Sequence, residues 1–303
     1  MVTAVARDFL GYGDNPPDAA WPGAARVAVS FVVNVEEGAE LSIIDGDERN
    51  EAVYEVTDEV RDAPDPCRDT HFEYGTRVGY HRIMRLLDDY GAPSTLNACG
   101  RAIARSPWIA RDAIARGHEV ACHGWRWERH AGMAEAEERA TIARAVAAIR
   151  DAAGVAPVGW HTRSAPSANT RRLLLEHGGF LYDSDAYSDD LPFFTQVEGR
   201  RHLVLPYSFD TNDMHFHQGS QRFSTAGHFA EYVIDAFDAL WSEGARTPRM
   251  LSIGLHLRMI GRPGRIAGLE RVLRHIRDKG GAWFARRDSI ARHWIDRFPE
   301  RDR

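Results

Sequence analysis

Two adjacent carboxylates, Glu36 and Glu37, follow a run of β-branched residues, and single imidazoles, His123 and His256, follow the predicted strands 119–122 and 250–255. Carboxylates held close together out of water split their pKa values, so that one can act as a base while the other keeps its proton. Neighbouring residues on an extended chain point in opposite directions. One glutamate is therefore expected to face a pocket and the other to support it. His256 is placed to protonate a leaving nitrogen or oxygen. Just past His123 the chain reads GWRW, which sets the flat rings of Trp125 and Trp127 beside the imidazole as candidate pocket walls.

Arg163 and Arg258 offer guanidinium forks for a carbonyl or carboxylate, or they cap helices and pair with surface acids. Asp183, Asp185, Asn212 and Asp213 offer acceptors for the N–H groups of an amide or urea, with ordinary turn chemistry as the alternative. The remaining histidines lie in predicted helices or carry little weight.

These residues need a scaffold that brings strand ends together. Residues 26–35 form a run rich in β-branched residues, the pattern of a strand buried on both faces. A polar connection over 39–73, long for a compact domain, reads as a lid or an oligomer contact. Helix 75–90 follows. Strands at 94–99, 119–122, 157–160, 180–182, 202–207, 250–255 and 282–285 then alternate with helices at 107–116, 134–153, 169–177, 225–242, 265–279 and 288–298. Such alternation predicts βα units, a parallel sheet and a closed or nearly closed (β/α) barrel of seven or eight units. The expected organisation is an arm over 1–25 and a single barrel domain over 26–303. In such barrels catalytic groups come from the C-terminal ends of several strands, where Glu36, His123, Arg163, Asp183, Asp213 and His256 fall.

The 303 residues are 44% hydrophobic with a net charge of −6. Charges of both signs are interspersed without a long basic block, which points away from nucleic acid and toward a small molecule or neutral polymer. No run of about 18 apolar residues occurs, so no membrane span is expected. Cys67, Cys99 and Cys122 are odd in number and lack CxxC spacing, which fits a reducing compartment, and the cytoplasm is the expected location.

Taken together, VVNVEEG, GHEVACHGWRW, YDSDAYSDDLP, LPYSFDTNDM and LSIGLHLRMIGRPGR resemble the metal-independent allantoinases of the polysaccharide deacetylase superfamily. The resemblance runs in matching order over residues 26–297. It implies a deformed (β/α) barrel, hydrolysis of an unactivated C–N bond in a small cyclic amide such as allantoin, and a homo-oligomer. It also implies that Glu36 and Glu37 stand where the superfamily carries an Asp pair, His123 at a metal-ligand position and His256 at the catalytic histidine. Trp127 stands where the second metal histidine would be. An indole nitrogen is a donor only and cannot ligate, so no cofactor is expected.

One segment departs from the pattern. His161 takes the place of a tyrosine, and Arg163-Ser-Ala-Pro166 is similar to the R-x-P motif of ordinary deacetylases. The departure bears on the substrate and not on the reaction class. The alternative is a metal-dependent deacetylase of N-acetylated sugars, with zinc or another divalent cation on Glu37, His123 and either His130 or His161. A catalytically inactive carbohydrate-binding barrel is a third reading.

Overall fold

The computed structural model describes residues 7–52, 58–163, 165–217 and 222–299. Strand β1 (Val27–Val35) lies at the centre of the sheet and is buried along its whole length, as a strand covered on both faces must be. Val27, Val29, Phe31, Val33 and Val35 belong to the large apolar core shared with the helices. Ala28 belongs to a second core formed with Trp21, Tyr182, Leu205, Ile290 and Trp294.

Two parallel strands flank β1 and set the register of the site. β2 (Ser94–Ala98) puts Asn97 beside Asn34, and β8 (Arg249–His256) puts His256 beside Asn34. On the β2 side follow β3 (Glu119–Cys122), β4 (Gly159–Trp160), β5 (Tyr182–Asp183) and β7 (Arg200–Val204), all parallel, with β6 (Phe193–Val197) antiparallel on β7. β9 (Ala282–Phe284) pairs with the start of β1. The sheet curls into a deformed barrel of the predicted class, and a single bridge from Asn212 to Gly254 spans the seam between the segment after β7 and β8.

The helical shell comprises α1 (Pro66–Tyr74), α2 (Tyr80–Asp89), α3 (Gly100–Arg105), α4 (Pro107–Ala115), α5 (Glu135–Ala153), α6 (Thr170–His177), α7 (Ala226–Glu243), α8 (Pro263–Lys279) and α9 (Arg287–Arg297). Helix α2 buries Tyr80, Ile83, Met84 and Leu87, the stripe expected of an amphipathic helix. Among the described residues, no helix is long and apolar enough to cross a membrane.

Several elements differ from the sequence expectation, among them α3, since no helix is expected over 100–105. The connection over 39–73 ends in α1, which buries only Arg68 and Phe72 and so lacks an apolar stripe, although Asp65 caps it by accepting from the Cys67 and Arg68 amides. A π turn over Gly75–Gly79 links α1 to α2. The hairpin strand β6 is half-exposed and carries no distinctive apolar run.

The two glycines of the π turn allow close contact with the site. A Cβ at Gly75 would stand 2.5 Å from Glu37 Oε1, and one at Gly79 would stand 2.1 Å from the Leu257 carbonyl oxygen. Gly79→Ala is therefore expected to destabilise the protein by about 1–3 kcal/mol, the usual range for overpacking, read as a lower denaturant midpoint at unchanged slope.

A polar cluster occupies the barrel interior below the site. Arg287, at the start of α9, is fully buried. Its guanidinium donates to Ser184 Oγ, Ser252 Oγ and the carbonyls of Leu205 and Pro206, tying together both sides of the seam. Glu119 accepts from Thr95 Oγ1, Tyr182 Oη and the Asp288 amide. Burial, followed by the charge of Asp288, raises its pKa to about 7.

Candidate active site

Glu36 is the first residue beyond β1, and its carboxylate is enclosed. Oε1 lies 3.6 Å from His123 Nε2 and 3.6 Å from His256 Nε2, while Oε2 lies 3.1 Å from Arg258 Nη1. None of the four side chains belongs to a residue more than 5% exposed. Strand ends β1, β3 and β8 supply Glu36, His123 and His256, so the curl of the sheet assembles the group.

Glu37 turns away from the imidazoles. Its Oε1 accepts the Arg258 amide at 3.2 Å and lies 3.4 Å from Arg258 Nη1, and its Oε2 accepts the Glu36 amide at 3.2 Å. It packs against Gly75 and fixes the backbone on which both Glu36 and Arg258 stand.

Hydrogen bonds set the protons on the two imidazoles. His123 Nδ1 lies 2.5 Å from the His161 carbonyl, which can only accept, so Nδ1 carries hydrogen and a neutral His123 presents its Nε2 lone pair toward Glu36. His256 Nδ1 donates to Asp213 Oδ1 at 2.6 Å. Asp213 Oδ2 accepts the backbone amides of His256 at 2.7 Å and Ile260 at 3.0 Å, so the carboxylate holds both the ring and its backbone.

Burial would raise the pKa of Glu36, but the charges of His256 and Arg258 outweigh it and hold the carboxyl well below 4.5. Burial would lower the pKa of His256, but the charges of Asp213 and Glu36 raise it to about 10. The pair is therefore carboxylate and imidazolium at neutral pH. Glu37 is pushed up by burial against the pull of Arg258, with Glu36 adding to the rise. The two neighbouring carboxyls thus separate as a close buried pair must.

His161 extends the cluster. Its ring stacks at 5.1 Å on His123 and lies 4.6 Å from the ring of Tyr207. Nδ1 is 3.0 Å from Asn97 Nδ2, and Nε2 is 3.1 Å from Tyr187 Oη. Burial holds its pKa well below 6.5 and keeps it neutral.

Several residues read from the sequence as substrate contacts have internal partners instead. Arg258 is buried on Glu36 and Glu37, with its guanidinium carbon 4.7 Å from the Phe72 ring. Asp213 lies behind His256, where it orients the ring. Asn212 caps the 3-10 turn Asp213–Phe216 through Met214 N and donates to Tyr207 Oη at 3.2 Å. Asp183 is held by Arg171 and His202, each at 2.8 Å. Asp185 accepts both Thr162 N and Thr162 Oγ1 at 2.7 Å, fixing the loop that carries His161. Trp125 packs between Gly100 and the guanidinium of Arg144, and Trp127 lies 3.4 Å beneath that of Arg163. The polar and aromatic types were legible in the sequence; the partners that occupy them come from distant segments.

The donor set can be tested against a divalent cation. His123 has one ring nitrogen committed to a carbonyl, Trp127 provides no lone pair, and a guanidinium already occupies the second oxygen of Glu36. His130 is buried with its Nδ1 on Glu138 at 3.0 Å. Among the described residues, no group of three or more His, Cys, Asp or Glu side chains could hold a metal ion. Zinc takes at least three such ligands, so this arrangement does not fit one.

Comparison with known proteins is consistent with this geometry. Residues 62–179 match the polysaccharide deacetylase family model. A Schizosaccharomyces pombe protein named for the polysaccharide deacetylases is 35% identical, covering 97% of this chain and 98% of its own. A structure described as Puue allantoinase is 44% identical with a TM-score of 0.93, covering 99% of this chain and 100% of its own. A Pseudomonas aeruginosa structure, also named for the polysaccharide deacetylases, is 43% identical with a TM-score of 0.93 over 98% of this chain and 100% of its own. With a relative this similar along nearly its whole length, and with the barrel and strand-end site in place, the chain belongs to the polysaccharide deacetylase family, hydrolases of carbon–nitrogen bonds other than peptide bonds.

Proposed function

We propose that this protein opens the ring of a small cyclic amide or imide, with allantoin the first candidate, and does so without a metal. The observation that carries this reading is the pairing of Glu36 with three buried nitrogen groups, one of them the Arg258 guanidinium, where a metal site would need further ligands. The similarity to Puue allantoinase supports the choice of substrate. The names of the Schizosaccharomyces pombe relative and of a Helicobacter pylori peptidoglycan deacetylase, 25% identical over 75% of this chain, favour an N-acetyl sugar as the second reading.

In the proposed reaction, Glu36 Oε1 and His123 Nε2 are two acceptors facing one space, suited to take both hydrogens of a water molecule. Glu36 removes a proton as the water oxygen bonds to the carbonyl carbon. His256, charged and held by Asp213, delivers its Nε2 proton to the leaving nitrogen as the C–N bond breaks. The proton on Glu36 returns to His256, whose Nε2 is 3.6 Å away. Arg258 keeps Glu36 ionised in a buried site, a fixed positive charge in place of a cation.

The test is hydrolysis of allantoin, hydantoin, succinimide and a chitooligosaccharide by metal-analysed protein, before and after chelation. The expected result is ring opening at an unchanged rate after EDTA with substoichiometric metal. Ring opening lost on chelation and restored by zinc would overturn the metal-free route, and release of acetate from the sugar alone would overturn the substrate class.

A further inference from the structure

We propose that the Tyr207 hydroxyl is a catalytic donor on the floor of the site, aimed at the carbonyl oxygen as it acquires negative charge. The assignment rests on the hydrolytic reading above.

Tyr207 follows β7 and is more than nine-tenths buried. Its oxygen accepts Asn34 Nδ2 at 3.3 Å and Asn212 Nδ2 at 3.2 Å. Neither amide can be turned around. Asn34 Nδ2 also donates to the Leu255 carbonyl at 3.2 Å, and Asn212 Oδ1 accepts the Met214 amide at 2.9 Å. Both lone pairs of the phenol are therefore in use, and its own hydrogen must be given to a third group. Among the described residues, none accepts it.

A buried O–H with no acceptor costs about 1–3 kcal/mol, an arrangement that native proteins rarely keep unless water or a ligand takes the hydrogen. The location suits a substrate. Asn34 stands two residues before Glu36 on its strand, and Gly254 two before His256. The phenol oxygen lies against Gly254, where an added Cβ would be 2.3 Å away. At about 3.3 Å per strand residue, the hydroxyl sits roughly 7 Å below the Glu36 and His256 pair. A carbonyl bound beneath that pair would direct its oxygen toward the hydroxyl.

Two amide hydrogens pulling on the phenol oxygen polarise it and strengthen the O–H as a donor. Burial raises its pKa, so it stays protonated where the pair is active. As the water oxygen bonds to carbon, the C=O π electrons move to oxygen and the Tyr207 hydrogen bond tightens without proton transfer. When the C=O re-forms, the C–N bond breaks and His256 protonates the nitrogen.

The test is steady-state kinetics of the full chain carrying Tyr207→Phe on a cyclic amide opened by the wild type. The expected result is a fall in kcat of about 100-fold or more, the scale for one oxyanion donor, with KM changed by less than about threefold and the circular dichroism retained. Replacing Tyr207 with 3-fluorotyrosine, which keeps the hydroxyl and both amide contacts, should restore kcat to near wild type. A Phe variant as fast as wild type, or a fluorotyrosine variant as slow as Phe, would overturn the assignment. If the wild type releases acetate from a sugar and opens no ring, the ring-opening reading fails. The same two variants on that sugar then decide the role of Tyr207, since both reactions pass through an oxyanion. A wild type inert on both overturns both readings.

Discussion

Glu36→Gln is expected to lower kcat by about 10³-fold while leaving KM within a few-fold, because the change removes a base and preserves shape. The amide cannot take a proton from water, and it no longer neutralises the imidazolium of His256. The wild-type acid limb should lie below the ordinary carboxylate range, because the folded pKa is held well under 4.5. The same shift stabilises the fold above pH 4.5, and that contribution disappears as pH falls through the lower folded value. Rates of the variant and the wild type over a pH series test both statements. A Gln variant with near-normal kcat would remove Glu36 from the chemistry.

Asp213→Asn should be nearly as damaging, by about 10²- to 10³-fold, with a distinct signature in pH. Asp213 accepts three hydrogens, from His256 Nδ1 and from the His256 and Ile260 amides. An asparagine cannot accept on both sides. Its NH2 must face either two backbone donors or the ring, and in the latter case His256 keeps hydrogen on Nε2 without a charge to offer. Loss of the Asp213 charge also withdraws the first influence that opposes burial, so the alkaline limb of kcat/KM should move down from about pH 10 toward neutrality. In the wild type, the raised imidazole pKa contributes stability that is complete below about pH 6.5 and is lost as pH rises through about 10. A variant with an unmoved alkaline limb would show that His256 is not the titrating acid.

The barrel was legible because its signals are local: β-branched runs, helical stripes and glycine stops recur at the right spacing along the chain. The strand-end positions of Glu36, His123 and His256 followed from that pattern. What the sequence concealed was pairing over long separations. Arg258 looks like a fork held out to solvent, yet it closes on Glu36, 222 positions earlier. Asp213 looks like a turn acid, yet it sits behind His256, 43 positions later. Tyr207 lies within the LPYSFDTNDM stretch with nothing local to mark its chemistry, and only the fixed amides of Asn34 and Asn212 reveal the direction of its hydrogen. Helix α1 escaped detection because it rests on a cap and two buried side chains instead of an apolar stripe.

The Arg287 contacts across the seam bear on the order in which the protein can be made. β1 is synthesised more than 200 residues ahead of its partners β8 and β9, and the guanidinium that ties the seam follows β9. Such distant pairing slows folding and leaves apolar strands without partners during synthesis. Glu36 thus leaves the ribosome some 220 residues before His256 joins it, and a nascent chain at that stage holds a base without its acid. Catalytic competence should appear late and abruptly, once α9 has emerged and docked, and a chaperone that shields the early strands would raise the yield of active enzyme more than its rate.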